Sequence, residues 1–85
     1  MNEITGYHIN KIDKGTLGKF SKIREEFQEL EDAYKQNDDI LMICECSDLI
    51  GAIKHFIEDN YNISLDSLLM FNKKTEAAFM SGKRQ

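Results

Sequence analysis

No apolar run in the 85 residues approaches the ~20 that a membrane-spanning helix needs. No signal-like pattern opens the chain, and the expectation is a cytoplasmic protein. Cysteine is scarce: Cys44 and Cys46 stand two residues apart, on different sides of a predicted helix. They offer no disulfide framework and read as small buried hydrophobes in a reduced protein. Gly15 and Gly18 stand close together in Gly15-Thr16-Leu17-Gly18, but the pattern of a phosphate-binding loop is missing, so a turn is predicted there. Internal repeats and low-complexity tracts are absent. His8 and His55 have no partner at ligand spacing, and surface or hydrogen-bonded roles outweigh metal ligation for both. The net charge of −4 argues against general nucleic-acid binding.

What is present is helical periodicity. Ile23, Phe27, Leu30 and Tyr34 fall at i, i+4, i+7 and i+11, an apolar stripe that predicts a first helix from Gly18 or Lys19 to Lys35. Glu25, Gln28, Glu31 and Asp32 lie further round and are expected in solvent. Gln36-Asn37-Asp38-Asp39 is the turn, and Asp38 is placed to cap a second helix that runs to about Asp59. The first half of that helix is apolar nearly all round, which predicts a central helix covered on several sides; Gly51 within it is expected to permit close helix approach. Ser64 caps a third helix, with Asp66 in its first turn and Gly82 as its stop. The tyrosines and phenylalanines are expected in the core. Residues 1–17 read as an extended arm or short strand followed by the turn, and 18–82 as the helical core of one domain.

Two acidic pairs organise this frame. Glu26 and Glu29 are three residues apart, as are Glu45 and Asp48, so each pair shares one helix face. About Asn37 the pairs are symmetric: Glu29 and Glu45 lie eight residues away, Glu26 and Asp48 eleven. An antiparallel hairpin therefore sets the four acids at two levels, roughly 12 and 16 Å from the turn. Glu45 and Asp48 are the only charged residues in the run Ile40 to Ile53, with no Lys or Arg to pair them. Acids buried without partners are costly. A hard divalent cation with oxygen ligands, Mg²⁺ with Mn²⁺ as the alternative, is the natural remedy.

The pattern Glu25-Glu26-x-x-Glu29, a 15-residue gap, then Glu45-x-x-Asp48, resembles the signature of the MazG-like all-α nucleoside triphosphate pyrophosphohydrolases. Gly15-x-Leu17-Gly18-x-x-Ser21-Lys22-Ile23, Ser47-Asp48-Leu49-x-Gly51-Ala52-Ile53 and Thr75-x-x-Ala78-Phe79-x-x-Gly82-x-Arg84 resemble compact bacterial and phage-type members. Many relatives carry a second Glu just before the Glu-x-x-Asp pair, where this chain has Cys44. The resemblance implies an all-α helical bundle completed by oligomerisation, as a homodimer or homotetramer, with a short extended N-terminal arm. It implies Mg²⁺-dependent cleavage of a nucleoside triphosphate to monophosphate and pyrophosphate. Glu26, Glu29, Glu45 and Asp48 match the metal-binding and catalytic acids. Lys22, Lys73, Lys74 and Arg84 are candidates for contact with the triphosphate, Lys and Arg being suited to phosphate. The alternatives are a phosphoribosyl-ATP pyrophosphohydrolase or dUTPase-like enzyme of the same fold, and a non-catalytic helical module that binds nucleotides or partners.

Overall fold

The computed structural model describes residues 8–82. The arm positions Ile4 and Tyr7 and the phosphate candidate Arg84 lie outside the described residues. Three helices follow one another: α1 (Phe20–Lys35), α2 (Asp39–Tyr61) and α3 (Leu65–Met80). The described chain is all-helical, with no strand in it; residues 8–19 form turns, bends and irregular backbone. No helix among the described residues is long and apolar enough to cross a membrane.

The helix ends follow the cap chemistry. The Asp38 carboxylate accepts from the Leu41 N–H at 3.0 Å, and Ser64 Oγ accepts from the Ser67 N–H at 3.1 Å. Asn37 and Asn62 both take φ of 56°, the left-handed conformation that asparagine tolerates, and they end α1 and α2. Gly82, at φ 80°, follows α3 in the same way. No side chain caps α1; the Lys19 N–H instead donates to the Thr16 carbonyl at 2.9 Å, winding the turn directly into the helix.

α1 and α2 pack on each other as a hairpin, and α3 touches only α2. α3 has no buried residue of its own. The radius of gyration, 15.2 Å, exceeds the ~12 Å of a compact domain of this length. Among the described residues the only buried hydrophobic ones are Ala33 and Ala52, whereas Glu25, Glu26, Asp32 and Glu45 are all buried. The centre of the hairpin is therefore acidic.

This reverses several sequence expectations. The stripe on α1 is only partly inside: Ile23 and Leu30 are half-buried, but Phe27 is 54% and Tyr34 69% exposed. Glu25 and Asp32, expected in solvent, are inside. Four of the five phenylalanines are exposed, Phe56 being the exception, and Phe20 and Tyr61 meet it edge-on at 5.9 and 5.7 Å between ring centroids. α2 is not covered on several sides, since Ile40, Ile43 and Ile50 lie open, and both Cys44 and Cys46 are exposed rather than buried. A Cβ on Gly51 would meet nothing within 4 Å, so no helix of this chain approaches closely there. The physical reason is common to all of these: a hairpin of two amphipathic helices can bury only one face of each, and the acidic faces occupy that interface.

Two glycines join the loop before α1 to the helices. The Gly15 N–H donates to Glu25 Oε1 at 2.8 Å, and a Cβ there would collide with the backbone of Ser21 and Lys22. Gly18 has φ of 88° and its carbonyl accepts from Asn60 Nδ2 at 2.8 Å, tying the turn to the end of α2. Gly15→Ala is expected to cost about 1–3 kcal/mol by overpacking. In a domain of this size that lowers the melting temperature by roughly 4–8 °C per kcal/mol, measurable by thermal denaturation. An unchanged melting temperature would contradict the close approach.

Candidate metal centre

On α1, Glu25, Glu29 and Asp32 recur at i, i+4 and i+7, and Glu26 borders them. On α2, Glu45 and Asp48 lie one turn apart. The hairpin brings Glu26, Glu29, Glu45 and Asp48 together: one carboxylate oxygen from each lies within 4.8 Å of the others. All four sequence-predicted acids thus meet. Glu26 and Glu45 are buried, Glu29 is half-buried, and Asp48 is exposed at the mouth. Glu26 Oε1 and Glu45 Oε1 are buried and accept no hydrogen bond. Buried acceptors left without a donor carry the full cost of desolvation, and a cation among four carboxylates relieves it. The donor set fits a hard divalent ion.

The electrostatics follow from crowding. Burial, a hydrogen bond with Glu25 and repulsion from Glu26, Glu45 and Glu25 push the Glu29 carboxyl up to about 8. Burial also raises Glu45; Asp48 and Glu26 add to this, while Glu29 and His8 oppose it. Glu25 behaves differently: burial alone would raise it, but the Gly15 N–H and the Lys22 ammonium hold it below the usual carboxylate range. Asp32 is likewise held low against burial, by the Ile9 N–H, the Gln36 amide and the Asn10 N–H.

Of the phosphate candidates, Lys22 lies at the cluster. Its Nζ is 3.0 Å from both Glu25 Oε1 and Glu26 Oε2. Burial would lower its pKa, but Glu26 and Glu25 outweigh that and raise it, so it stays charged. Lys73 and Lys74 are exposed on α3, and no ion pair among the described residues joins them to the acids.

Sequence reasoning missed His8 and Asp32, and it placed Glu25 in the acidic signature but expected its side chain in solvent. His8 lies half-buried against the cluster, its Nε2 at 3.7 Å from Glu29 Oε1 and 3.8 Å from Glu45 Oε2. Asp32 accepts the backbone N–H groups of Ile9 and Asn10 and so fixes where His8 stands. Glu25 accepts the Gly15 N–H and pairs with Lys22. The acidic stripe on α1 was a signal for Glu25 and Asp32, as regular as the apolar one on the other side. Nothing in local spacing points to His8, which is 21 residues from Glu29 and comes near it only because the loop folds back along α1.

Comparison with family models, with curated proteins and with solved structures finds no match for this chain. What the site can do is set by its own geometry.

The raised Glu29 gives a stability profile with a definite sign. In metal-free protein the folded chain holds a proton that the unfolded chain releases above 4.5, so this contribution is intact below that pH and is lost as pH rises to about 8. Glu25 and Asp32 act oppositely, adding stability above their ordinary range and losing it as pH falls through their lowered values. Urea unfolding in EDTA should therefore show stability declining between pH 5 and 8, and Glu29→Gln should flatten that slope. A wild-type profile that rises across the same window would contradict the crowding at Glu29.

Proposed function

We propose that this protein is a Mg²⁺-dependent nucleoside triphosphate pyrophosphohydrolase of the MazG-like all-α kind, with Mn²⁺ able to replace Mg²⁺. The observation that carries the reading is the convergence of Glu26, Glu29, Glu45 and Asp48 within 4.8 Å, two of them with buried oxygens that accept no hydrogen bond. These four would hold the cation. A bound Mg²⁺ supplies charge neutralisation for the triphosphate and lowers the pKa of water near it. Cleavage of the bond between the α and β phosphates gives monophosphate and pyrophosphate, and a carboxylate of the cluster takes the proton from the attacking water. Lys22, beside Glu26, is placed to meet a phosphate oxygen as a point charge.

The reading extends to assembly. Ile40, Ile43 and Ile50 are exposed on the side of α2 opposite Glu45, and Phe27 and Tyr34 on the side of α1 opposite Glu29. α3 adds Leu69, Met70, Phe71, Phe79 and Met80, all exposed. Apolar surface of this extent marks association surfaces. Further copies of the chain packed against these faces would cover them and leave the acids within each hairpin, as a homodimer or a dimer of dimers. Lys73 and Lys74 would then reach a triphosphate at the acids of a neighbouring copy.

Pyrophosphate release from a panel of ribo- and deoxyribonucleoside triphosphates, with and without Mg²⁺, tests the activity. Wild type is expected to release pyrophosphate only with the metal, and Glu45→Gln and Asp48→Asn are expected to lower turnover at least about 10³-fold with the helical content unchanged, as loss of a charge-stabilising group in a metal site does. Normal turnover in either variant removes these acids from catalysis; metal binding without turnover of any nucleotide favours the non-catalytic module.

For the assembly, light scattering is expected to give a multiple of the 9.9 kDa chain mass. Ile43→Lys with Ile50→Lys should shift it toward monomer. A stable, active wild-type monomer would overturn the association.

A further inference from the structure

We propose that His8 makes the acidic cluster a two-position site, in which His8 Nε2, Glu29 and Glu45 form a second cation position that takes a transition-metal ion in preference to Mg²⁺. The inference rests on the reading of the cluster as a cation site and goes beyond it in ligand set and metal class. One donor atom from each of His8, Glu29 and Glu45 lies within 4.8 Å of the other two. Nε2 is 3.7 Å from Glu29 Oε1 and 3.8 Å from Glu45 Oε2. Donors each about 2.1 Å from one ion stand roughly 3.0–3.6 Å apart at octahedral to tetrahedral angles, so a small inward adjustment closes the set. Glu45 belongs to both groups; its side chain is 4% exposed, with Oε2 toward His8, while Oε1 is the oxygen that accepts no hydrogen bond.

The other ring nitrogen has a carboxylate near it. His8 Nδ1 lies 3.6 Å from Oδ1 of the buried Asp32, a charge-pair distance that a shift of a few tenths of an ångström would turn into a hydrogen bond. Metal-ligating histidines characteristically turn their second nitrogen to a carboxylate, which fixes the tautomer and directs the lone pair at the metal. Asp32 is in turn held by the Ile9 N–H at 3.1 and 3.2 Å, the Asn10 N–H at 2.8 Å and Gln36 Nε2 at 2.7 Å. The backbone on either side of the imidazole and the acid behind it are thus fixed together. Imidazole suits late first-row ions, whereas Mg²⁺ prefers oxygen, so the two positions differ in the ion they select. Glu29 and Glu45 belong to both ligand sets, so they would serve an ion in either position.

The test uses Co²⁺ and Mg²⁺ separately on wild-type protein, His8→Ala and Glu45→Gln, with calorimetry for affinity, visible absorption for Co²⁺ and circular dichroism for folding. Wild type is expected to bind Co²⁺ with a ligand-field band, and His8→Ala to weaken Co²⁺ about tenfold or more, shift the band, and leave Mg²⁺ affinity within about twofold. Glu45→Gln is expected to weaken both ions. Unchanged Co²⁺ affinity and spectrum in His8→Ala would overturn the second position while leaving the oxygen site standing. An equal loss of Co²⁺ and Mg²⁺ in that variant would overturn it too, reducing His8 to a structural role. Wild type that binds neither ion would overturn the cation reading of the whole cluster.

Discussion

Unmatched negative charge at the centre of the α1–α2 hairpin is the constraint on which the rest of the structure depends. Where most small domains bury branched aliphatic side chains, this one buries Glu25, Glu26, Asp32 and Glu45, with two alanines as the only buried hydrophobic residues among those described. Such a centre holds together only if each carboxylate is matched. Asp32 is matched by backbone N–H groups, Glu25 by Gly15 and Lys22, and Glu29 by the proton its crowded position retains. Glu26 and Glu45 each keep one oxygen unmatched, and these two flank the space where the acids converge. The arrangement divides acids matched by backbone N–H groups and Lys22 from acids that keep an oxygen without a hydrogen bond.

That division accounts for the loop before α1. A dozen residues without regular structure would be a weak attachment if they rested on apolar contact alone, since Ile9 and Leu17 are exposed. Two buried carboxylates hold them instead, Asp32 at residues 9 and 10 and Glu25 at residue 15. Charge-assisted bonds of this kind are about twice as strong as neutral ones, and they are directional. They place His8 and Lys22 on two sides of the same acid cluster.

The same constraint sets the outside of the molecule. A helix that turns its acids inward turns part of its apolar surface outward: Phe27 and Tyr34 lie open on α1, with Ile23 and Leu30 half-buried, and Ile40, Ile43 and Ile50 lie open on α2. Ile43 on α2 is 71% exposed, and α3 extends from the hairpin with its large side chains open. Much of the apolar surface that ordinarily stabilises a domain from within is here exposed among the described residues.

The sequence by itself determined the helices, their ends and the meeting of four acids. Asp38, Ser64, Asn62 and Gly82 mark boundaries through local hydrogen bonds and backbone preferences, which need no tertiary information. The symmetry of Glu26, Glu29, Glu45 and Asp48 about Asn37 is a matter of helical rise and a short turn, so one dimension contains it. Which face of α1 would be inside was not determined in that way. The stripes Ile23-Phe27-Leu30-Tyr34 and Glu25-Glu29-Asp32 are equally regular, and apolar periodicity alone chooses the first. Only the tertiary structure decided for the second, because the choice depends on what α2 presents opposite and on backbone donors from a loop folded back along α1. His8 belongs to that second class: its place depends on two backbone bonds to Asp32, formed between residues more than twenty positions apart, and no local pattern encodes a contact at that separation.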